Sequence, residues 1–360
     1  MFRIYKRNSP GKLFNLYIRF IGILSALIVT GFFIYILGHN PLEVFGAILK
    51  GAFGSEYRFV ETITKTIPLA ITSIAVGIAF KMKFWNIGAE GQIIMGACFS
   101  SFIALNCTNL SKPIMLPLMM LAGIIGGGIW ALIPAFFKAK FNTNETIFTL
   151  MMNYIAFKWV IYLQYGPWKD PGALGFPKIP NFVSAAVLPE IFGVHIGWII
   201  MFVIALIFYF FMNHSKLGYE INVVGESENT ARYAGISVFA IVLINLFISG
   251  GLSGLVGMIQ VSGVNKTLSM NIAGGIGFTA IITSWLAGLS IPIILIVSFL
   301  FAAMVQGSTF IQMAFQIPQA AAEIIQGLLL FFVLGSEFFI RYSVKIQKFK
   351  MIQFKKEEVK

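Results

Sequence analysis

Ten mainly apolar segments divide the chain, and most have the roughly 20 residues that an α-helix needs to cross a bilayer. Because no water reaches the backbone inside lipid, such segments satisfy their own hydrogen bonds by forming helices. The shortest are 91–108 and 275–289, and the second is compatible with a partial or re-entrant helix. The sequence therefore predicts an all-α integral membrane protein, a polytopic bundle of about ten transmembrane helices. The segments run over residues 17–38, 60–81, 91–108, 113–137, 145–164, 195–213, 236–262, 275–289, 290–312 and 319–340.

The composition supports a protein that is covered largely by lipid. Of the 360 residues, 58% are hydrophobic and 11% are charged, and the mean hydropathy is +0.85. Soluble domains carry about 25% charged residues, because they need polar surface to face water. The formal net charge of +12 could suggest nucleic acid as a partner, but the basic residues cluster at the two ends and in short loops. That pattern indicates a membrane protein and not a nucleic-acid-binding one.

The distribution of Lys and Arg predicts the orientation of the chain. With residues 1–16 placed inside, most of the 26 Lys and Arg residues fall on the cytoplasmic side, as the positive-inside rule requires. An even number of helices then returns residues 341–360 to the cytoplasm. We therefore predict a cytoplasmic N-terminal segment, a transmembrane domain over 17–340 and a basic cytoplasmic tail.

Three segments outside the long apolar runs have distinct patterns. Residues 165–194 contain five prolines, which mark irregular structure, and the topology makes this segment an external loop. Residues 214–236 are polar and form a cytoplasmic loop in the same topology. Residues 41–53 have the pattern of a short amphipathic helix, which we expect to lie on the outer membrane surface.

The densest polar cluster, FWNIGAEGQ, occupies residues 84–92 and joins the second and third predicted helices. Irregular backbone at membrane depth is tolerated only where protein buries it or a cavity lies beside it. A glutamate such as Glu90 is costly in lipid unless it is paired or hydrated. Two interpretations stay open. The segment lines a transport path or forms a hinge beside it, or it is a tight turn in which Glu90 pairs with Lys81 or Lys83.

Other polar and small residues lie in or beside the predicted helices. Asn153 needs a partner within the membrane, either another helix or a substrate, and helix contact is the commoner outcome. Gln260 lies near an outer helix end and could face a path. Asn144 is a good N-cap for the fifth predicted helix. Gly250 and Gly254 have the small-xxx-small spacing that permits close helix packing.

The sequence offers no constellation for catalysis or for a cofactor. A hydrolase needs a nucleophile beside a base, and the three His residues are scattered far from any candidate Ser. Cys98 and Cys107 are too few for a disulfide framework or a metal site. One pair of glycines has the spacing of a P-loop, but Ala52 and Phe53 replace its Lys and its Ser or Thr. We therefore expect no catalytic, metal or cofactor site, and any ATP must bind to another chain.

Five motifs follow one another along the chain: FWNIGAEGQIIMGA (84–97), NETIFTLMMNYIA (144–156), GYEINVVGESENTARYAGI (218–236), SGGLSGLVGMIQVSG (249–263) and GIGFTAIITSWLAG (275–288). Together they resemble the permease subunits of ribose/nucleoside-type ABC importers. The resemblance covers about residues 60 to 340, and the NIGAEGQ motif is more similar to nucleoside-type than to sugar-type permeases. It implies a fold of about ten helices, in agreement with the independent count of apolar segments.

This resemblance implies one subunit of an importer in a bacterial plasma (inner) membrane. The expected partners are cytoplasmic ATP-binding subunits, a second permease that we expect to be a different chain, and an external substrate-binding lipoprotein or secreted protein. Membrane lipid surrounds the chain, and nucleic acid is not expected. The chain would form the translocation path for a small polar solute, a nucleoside, while ATP hydrolysis takes place in the partner subunit.

The resemblance also suggests roles for particular residues. Segment 214–236 would dock in a groove of the ATPase and transmit its closure to the neighbouring helices. Trp85 or Phe278 could stack on the ring of a nucleoside. The candidate coupling residues are Gly225, Glu226, Arg232, Tyr233 and Gly235. The candidate residues of the translocation path are Trp85, Asn86, Glu90, Gln92, Asn153, Gln260 and Phe278.

Two alternatives remain open at this point. A secondary transporter coupled to an ion gradient would need ionisable residues within the membrane, and Glu90 and Glu323 are the only mid-chain candidates. Ion-driven uptake without an ATPase would favour that class. The same importer class could also carry a simple sugar or riboflavin in place of a nucleoside.

Overall fold

The computed structural model describes residues 2–7, 11–173 and 175–346, and this part of the chain is mainly helical. The predicted all-α class is therefore confirmed. The thirteen described helices are α1 (Lys12–Ile36), α2 (Pro41–Phe53), α3 (Glu56–Lys81), α4 (Ala89–Asn106), α5 (Lys112–Phe141), α6 (Glu145–Tyr165), α7 (Gly197–His214), α8 (Lys216–Glu226), α9 (Glu228–Tyr233), α10 (Val238–Ile259), α11 (Ile276–Leu286), α12 (Ile291–Ala314) and α13 (Gln319–Arg341). The described strands are β1 (Phe2–Lys6), β2 (Glu190–Ile191), β3 (Val194–His195) and β4 (Tyr342–Ile346).

Eight of the described helices are long and apolar enough to cross a membrane. They coincide with eight of the ten predicted segments, so the polytopic architecture is confirmed. The two short predicted segments correspond to α4, which contains Glu90, Gln92 and other polar residues, and to α11, which has only 11 residues. The eight candidate spans are Tyr17–Ile36, Glu56–Lys81, Lys112–Phe141, Glu145–Tyr165, Gly197–His214, Val238–Val264, Ile291–Ala314 and Gln319–Arg341.

The chain divides into two compact units, and the first comprises residues 1–48 and 308–360. Within its described part, α1 packs along α13, and a Cβ at Gly22 would lie 2.6 Å from the Cβ of Ser336. The two helices therefore approach closely because Gly22 has no side chain. Strand β1 pairs with β4 in antiparallel register, with Phe2 opposite Ile346. Most of the predicted tail, beyond residue 346, lies outside the described residues.

The second unit comprises residues 49–307, and α10 lies at its centre against α3, α4 and α5. Two glycines on α10 make the contact with α5 possible. A Cβ at Gly254 would collide with the carbonyl oxygen of Gly123, and one at Gly250 would collide with the Cβ of Ala131. The predicted small-xxx-small packing of Gly250 and Gly254 is therefore confirmed. The backbones of α10 and α5 therefore meet at these glycines, and large buried side chains such as Ile74, Ile93 and Met258 fill the core around them.

Residues 165–194 fold back onto the end of α10 and contain a 3₁₀ turn, Ser184–Ala186, and part of a short strand pair. After α10 the chain continues in a π-helical turn, Gln260–Val264. Phe182 donates its backbone N–H to the carbonyl of Lys266 at 2.8 Å, and Leu188 donates to that of Ser262 at 3.1 Å. The proline-rich segment is thus irregular, as predicted, and hydrogen bonds hold it against the π-helical turn.

Candidate functional site

Helix α11 begins inside the second unit, and its first N–H groups bind the side chain of Glu90. Gly275 donates its N–H to Oε1 of Glu90 at 2.7 Å, and Gly277 donates to Oε2 at 2.7 Å. The first N–H groups of a helix have no partner within the helix, and a carboxylate there is stabilised by the helix dipole. Glu90 therefore caps α11 from α4, and the alternative pairing with Lys81 or Lys83 is not the contact that forms.

Residues 86–92, which include Glu90 and the first turn of α4, are held by a network of buried amides. Asn86 Nδ2 donates to Gln92 Oε1 at 3.2 Å and to the hydroxyl oxygen of Ser249 at 3.3 Å. Asn86 Oδ1 accepts from the backbone N–H of Gly88 at 3.0 Å. We call residues 86–92 the anchored loop. The network joins this loop to α10 through Ser249.

Asn153 on α6 fixes the anchored loop from another direction. Its Oδ1 accepts the N–H of Gly91 at 2.8 Å, and its Nδ2 donates to the carbonyl of Ile87 at 2.9 Å. Both polar atoms of the amide are therefore used inside the protein. The partner that Asn153 was expected to need is the backbone of the anchored loop, and the side chain is 5% exposed.

A cavity of about 260 Å³ lies among α3, the π-helical turn, the start of α11 and α12. We call it the Gln260 cavity. Its polar lining comes from Glu61, Thr64, Lys65, Gln260 and Thr279. Gln260 is the one candidate path residue that lines it. Glu90 is not in the cavity lining. It binds the N–H groups of Gly275 and Gly277, and these two glycines flank Ile276 in the cavity wall.

Gln260 presents its side-chain amide to the cavity. Its side chain has no hydrogen-bond partner within the described part of the chain. Its carbonyl accepts the N–H of Asn265 at 2.9 Å, the five-residue spacing of a π-helix. Such turns are frequent at functional sites, because one extra residue re-aims the neighbouring side chains. The turn therefore places a free amide on the cavity wall.

The remaining polar groups of the cavity include two charges that sequence reasoning did not select. Glu61 and Lys65 lie one turn apart on α3, inside the predicted segment 60–81. That position within an apolar helix was the signal, because ionisable residues there usually face a cavity or a partner. Thr64 and Thr279 donate their hydroxyl protons to backbone carbonyls at 2.9 and 3.1 Å. Their oxygens remain able to accept hydrogen bonds.

The two candidate aromatic residues lie away from the cavity lining. Trp85 stacks on Trp285, with ring centroids 5.6 Å apart and planes inclined by 22°, and it also contacts Phe80. Nearly half of the Trp85 side chain is exposed, at 46%, and Phe278 is 43% exposed. Both side chains are thus partly exposed, and Trp85 belongs to an aromatic cluster at the C-terminal end of α11.

The predicted coupling segment folds as two short helices, α8 and α9. Ser215 and Ser227 cap them by accepting the N–H groups of Gly218 and Thr230. Gly225 packs so closely on the backbone of Lys81 that an added Cβ would collide with its carbonyl.

The other candidate coupling residues lie on the exposed side of these helices. Tyr233 is 97% exposed, and Arg232 lies 3.9 Å from Glu228. The side chain of Glu226 is exposed, while its carbonyl accepts a hydrogen bond from Lys83 Nζ at 3.4 Å. Gly235 has a φ of +77°, a conformation that glycine adopts without strain. The segment therefore combines an exposed aromatic residue, Tyr233, with a close backbone contact between Gly225 and α3.

His195 supports the π-helical turn from β3. Its Nδ1 accepts the N–H of Gly197 at 3.2 Å, and a Cβ on Gly263 would lie 2.9 Å from its ring. Burial lowers the pKa of the imidazole to about 4, and the charge of Glu190 opposes this shift in part. The ring is therefore neutral at physiological pH and packs as a polar core residue beneath the turn.

These features define a polytopic membrane protein in which a short helix begins inside the bundle beside a polar cavity. Residues 58–334 match the family model described as branched-chain amino acid transport system / permease component. The chain therefore belongs to this family of membrane permease components.

Three relatives illustrate the range of the family. The chain is 32% identical over 337 residues to the glucose ABC transporter permease protein TsgB13 of Haloferax volcanii, which covers 90% of this chain and 88% of the relative. It is 27% identical over 351 residues to the guanosine ABC transporter permease protein NupP of Bacillus subtilis, covering 94% and 98%. It is 28% identical over 228 residues to the guanosine ABC transporter permease protein NupQ of the same organism, covering 61% and 72%.

The predicted resemblance to ABC importer permeases is confirmed. The chain is a multi-pass, non-catalytic permease subunit of an ABC importer, and membership of the family implies separate ATPase and binding-protein partners. Membership of this family excludes the alternative class, an ion-coupled secondary transporter.

Proposed function

We propose that the chain forms part of the translocation path for a nucleoside, and that the Gln260 cavity is a section of this path. The observation that carries the proposal is the free amide of Gln260 on a polar cavity inside an apolar bundle. A polar group at membrane depth is expensive unless it serves a partner or a solute. Among the described residues, the side chain of Gln260 has no such partner.

The chemistry of the cavity suits a small neutral solute with both donors and acceptors. Gln260 offers both functions, the hydroxyl oxygens of Thr64 and Thr279 accept, and Glu61 and Lys65 supply one charge of each sign. A nucleoside presents hydroxyls and ring nitrogens to such a set. The exposed rings of Trp85 and Phe278 offer faces on which its base could stack further along the path.

The start of α11, which Glu90 of the anchored loop binds, would be the part of the path that moves during transport. Half-helices that begin near the bilayer midplane commonly form transporter sites. Glu90 holds the start of α11, so a change at this cap moves Ile276 and Thr279 in the cavity wall. In this proposal Asn86, Gln92 and Asn153 position the loop that carries Glu90, and they border the path without forming its lining in this conformation.

We further propose that α8 and α9, within residues 214–236, transmit ATPase closure. Tyr233, Arg232 and Glu226 would contact the ATPase, and Gly225 would pass the movement to α3 through its contact with Lys81. Gly235 would let the chain turn into α10. Replacing Glu226 or Arg232 should separate ATP hydrolysis from uptake while the protein stays folded, and normal transport in both variants would contradict this role.

The same proposal includes the finer topology and assembly. Both termini would be cytoplasmic, α4 and α11 would bring the membrane helices to about ten, and residues 165–194 would face the external binding protein.

The second permease would be a different chain, as NupP and NupQ are two different permeases named for guanosine in one organism. A bacterial plasma membrane is the proposed location, although TsgB13 comes from an archaeon.

A sugar is the second candidate solute, because the 32% identical relative TsgB13 is named for glucose. Riboflavin is a further candidate solute for an importer of the same class. Uptake of labelled guanosine and labelled glucose by cells with and without the gene, in the presence of its native partners, distinguishes them. We expect guanosine uptake to depend on the chain and to be blocked by other nucleosides. Dependence of glucose uptake alone would overturn the nucleoside assignment.

A further inference from the structure

Four basic side chains from three separate segments surround a second cavity, which has a volume of about 560 Å³. Lys83 comes from the turn after α3, Lys138 and Lys140 from the last turn of α5, and Arg232 from α9. We call this the basic cavity. It lies at the end of the second unit where α8 and α9 pack, remote from the residues that line the Gln260 cavity.

The positive charge of the basic cavity is only partly neutralised. Lys138 Nζ lies 3.0 Å from Glu145, and Arg232 lies 3.9 Å from Glu228 with both side chains more than half exposed. Lys83 and Lys140 form no salt bridge within the described residues. Lys83 donates to the carbonyl of Glu226 at 3.4 Å, a neutral group. Four cations therefore face two carboxylates, which favours an anionic ligand.

A helix N-terminus adds to the positive electrostatic potential in the basic cavity. Ser237 and Val238 line the cavity at the start of α10, a helix of 22 residues. The N-terminal end of a helix carries a partial positive charge of about half a unit. This contribution is independent of the side chains and acts on the same space, so a phosphate group would meet positive potential from both sources.

Exposed phenylalanines beside the lysines indicate what kind of molecule carries the phosphate. Lys140 Nζ lies 5.4 Å from the ring centroid of Phe136 and 5.5 Å from that of Phe141. Both rings and that of Phe239 are substantially exposed. Apolar surface that continues directly into a cluster of lysines at the end of a membrane helix matches a lipid, with acyl chains on the rings and the headgroup among the cations. A free phosphate compound or an acidic protein segment would leave the rings unused.

We propose that the basic cavity binds the phosphate headgroup of an anionic phospholipid. The site goes beyond the proposed transport path, since neither its lining nor its test depends on the identity of the solute. Because Arg232 lies on α9, a bound headgroup would compete with Glu228 for this guanidinium. Only that last connection, from lipid to the coupling segment, rests on the proposed coupling function.

The test measures phosphatidylglycerol binding to the purified full-length chain in detergent by native mass spectrometry. The variant is Lys83→Gln together with Lys140→Gln. The control is Lys266→Gln together with Lys169→Gln, which removes the same charge elsewhere. Lys266 is a close match for Lys83, because both are exposed and have positive φ values of 56° and 58°. Size-exclusion chromatography verifies that all three proteins are folded.

We expect phosphatidylglycerol to bind in preference to neutral phosphatidylcholine. Each basic residue near a membrane surface contributes about fivefold to the affinity for an anionic lipid, so the variant should bind about 25-fold more weakly. The control should stay within about twofold of the original protein. Equal losses in variant and control, or no loss in either, would overturn the proposal.

Two further outcomes would identify a different ligand. If inorganic pyrophosphate binds alone and displaces phosphatidylglycerol at similar concentration, the cavity is a site for a soluble phosphate compound and the lipid assignment is wrong. If the variant keeps phosphatidylglycerol but loses the ATPase subunit from the native complex, the cations belong to a protein interface. Normal solute uptake by the variant would not rescue the proposal in either case.

Discussion

The anchored loop and the Gln260 cavity use similar side chains in opposite ways. The amides of Asn86 and Gln92 in the anchored loop, and that of Asn153 on α6, all find protein partners at 2.8 to 3.3 Å. In the cavity, the amide of Gln260 finds none among the described residues. Buried polar groups with matched partners fix one arrangement of the chain. Polar groups facing a cavity contribute little to that arrangement and are available to a solute.

Glu90 connects these two regions. It lies within the anchored loop, and its carboxylate binds the start of α11, which contributes Ile276 and Thr279 to the cavity wall. Substitutions in the anchored loop, or in residues that bind it, should therefore act mainly on the free energy of unfolding, and substitutions in the Gln260 cavity mainly on transport.

Glu90→Ala should have the largest effect on stability. It removes two hydrogen bonds to a charged group, each worth about 1.5–3 kcal/mol, and leaves two N–H groups without partners. We expect the free energy of unfolding to fall by at least about 3 kcal/mol, measured by denaturant unfolding in detergent micelles. Uptake should be lost as well, because the start of α11 is no longer held.

Two companion variants control for this result. Glu90→Gln keeps the size of the side chain and one acceptor oxygen, so it should lose about half as much stability. Glu56→Ala removes an exposed glutamate from the first turn of α3 and should cost less than about 1 kcal/mol. If Glu90→Ala were no more destabilising than Glu56→Ala, Glu90 would not be an anchor and the distinction between the two regions would fail.

Asn153→Ala should have the next largest effect. Both of its hydrogen bonds end on backbone atoms of the anchored loop, and losing them leaves an N–H and a carbonyl unsatisfied. We expect a loss of about 2 kcal/mol in the same unfolding measurement. Asn213→Ala is the matched control, because the amide of Asn213 is exposed and bonds only within its own helix. A similar loss in both would mean that the anchored loop is not specially held.

The acid dependence of stability tests whether buried packing against His195 holds the π-helical turn in place. The pKa of buried His195 is lowered to about 4, whereas an unfolded chain has a value of about 6.5. The folded state therefore resists protonation, so its stability is complete above pH 6.5 and declines as the pH falls towards 4. Between pH 7.5 and 5.5 the loss should be about 1 kcal/mol. His195→Gln should lack this part of the pH dependence, and identical curves for the two proteins would contradict the burial of a neutral imidazole.

Sequence patterns predicted the elements and some caps, but they could not predict which polar groups meet. The N-cap role of Asn144 is confirmed, since its Oδ1 accepts the N–H of Ile147 at 3.2 Å, and such contacts depend only on neighbouring residues. The contact of Glu90 with Gly275 and Gly277 joins residues 185 or more positions apart. No local pattern distinguishes it from pairing with Lys81.

The lining of the Gln260 cavity was equally hard to predict from the sequence. Glu61 and Lys65 were visible as charges in a predicted span, but only the packing of α3 against the π-helical turn and α11 places them beside Gln260. The π-helical turn itself has no recognisable sequence signal here. Its extra residue aims Gln260 into the cavity, and this direction is a product of the tertiary packing at the end of α10.

Gln260→Ala should have the smallest effect on stability and gives the sharpest test of the comparison. The amide has no partner to lose within the described residues, so the free energy of unfolding should change by less than about 0.5 kcal/mol. If the amide binds the solute, its loss should reduce uptake about tenfold, the equivalent of about 1.4 kcal/mol for one hydrogen bond. Gln326→Ala, a half-buried glutamine that does not line the Gln260 cavity, should leave both measurements unchanged. A large loss of stability in Gln260→Ala would assign this amide to the framework, and normal uptake with normal stability would remove it from the path.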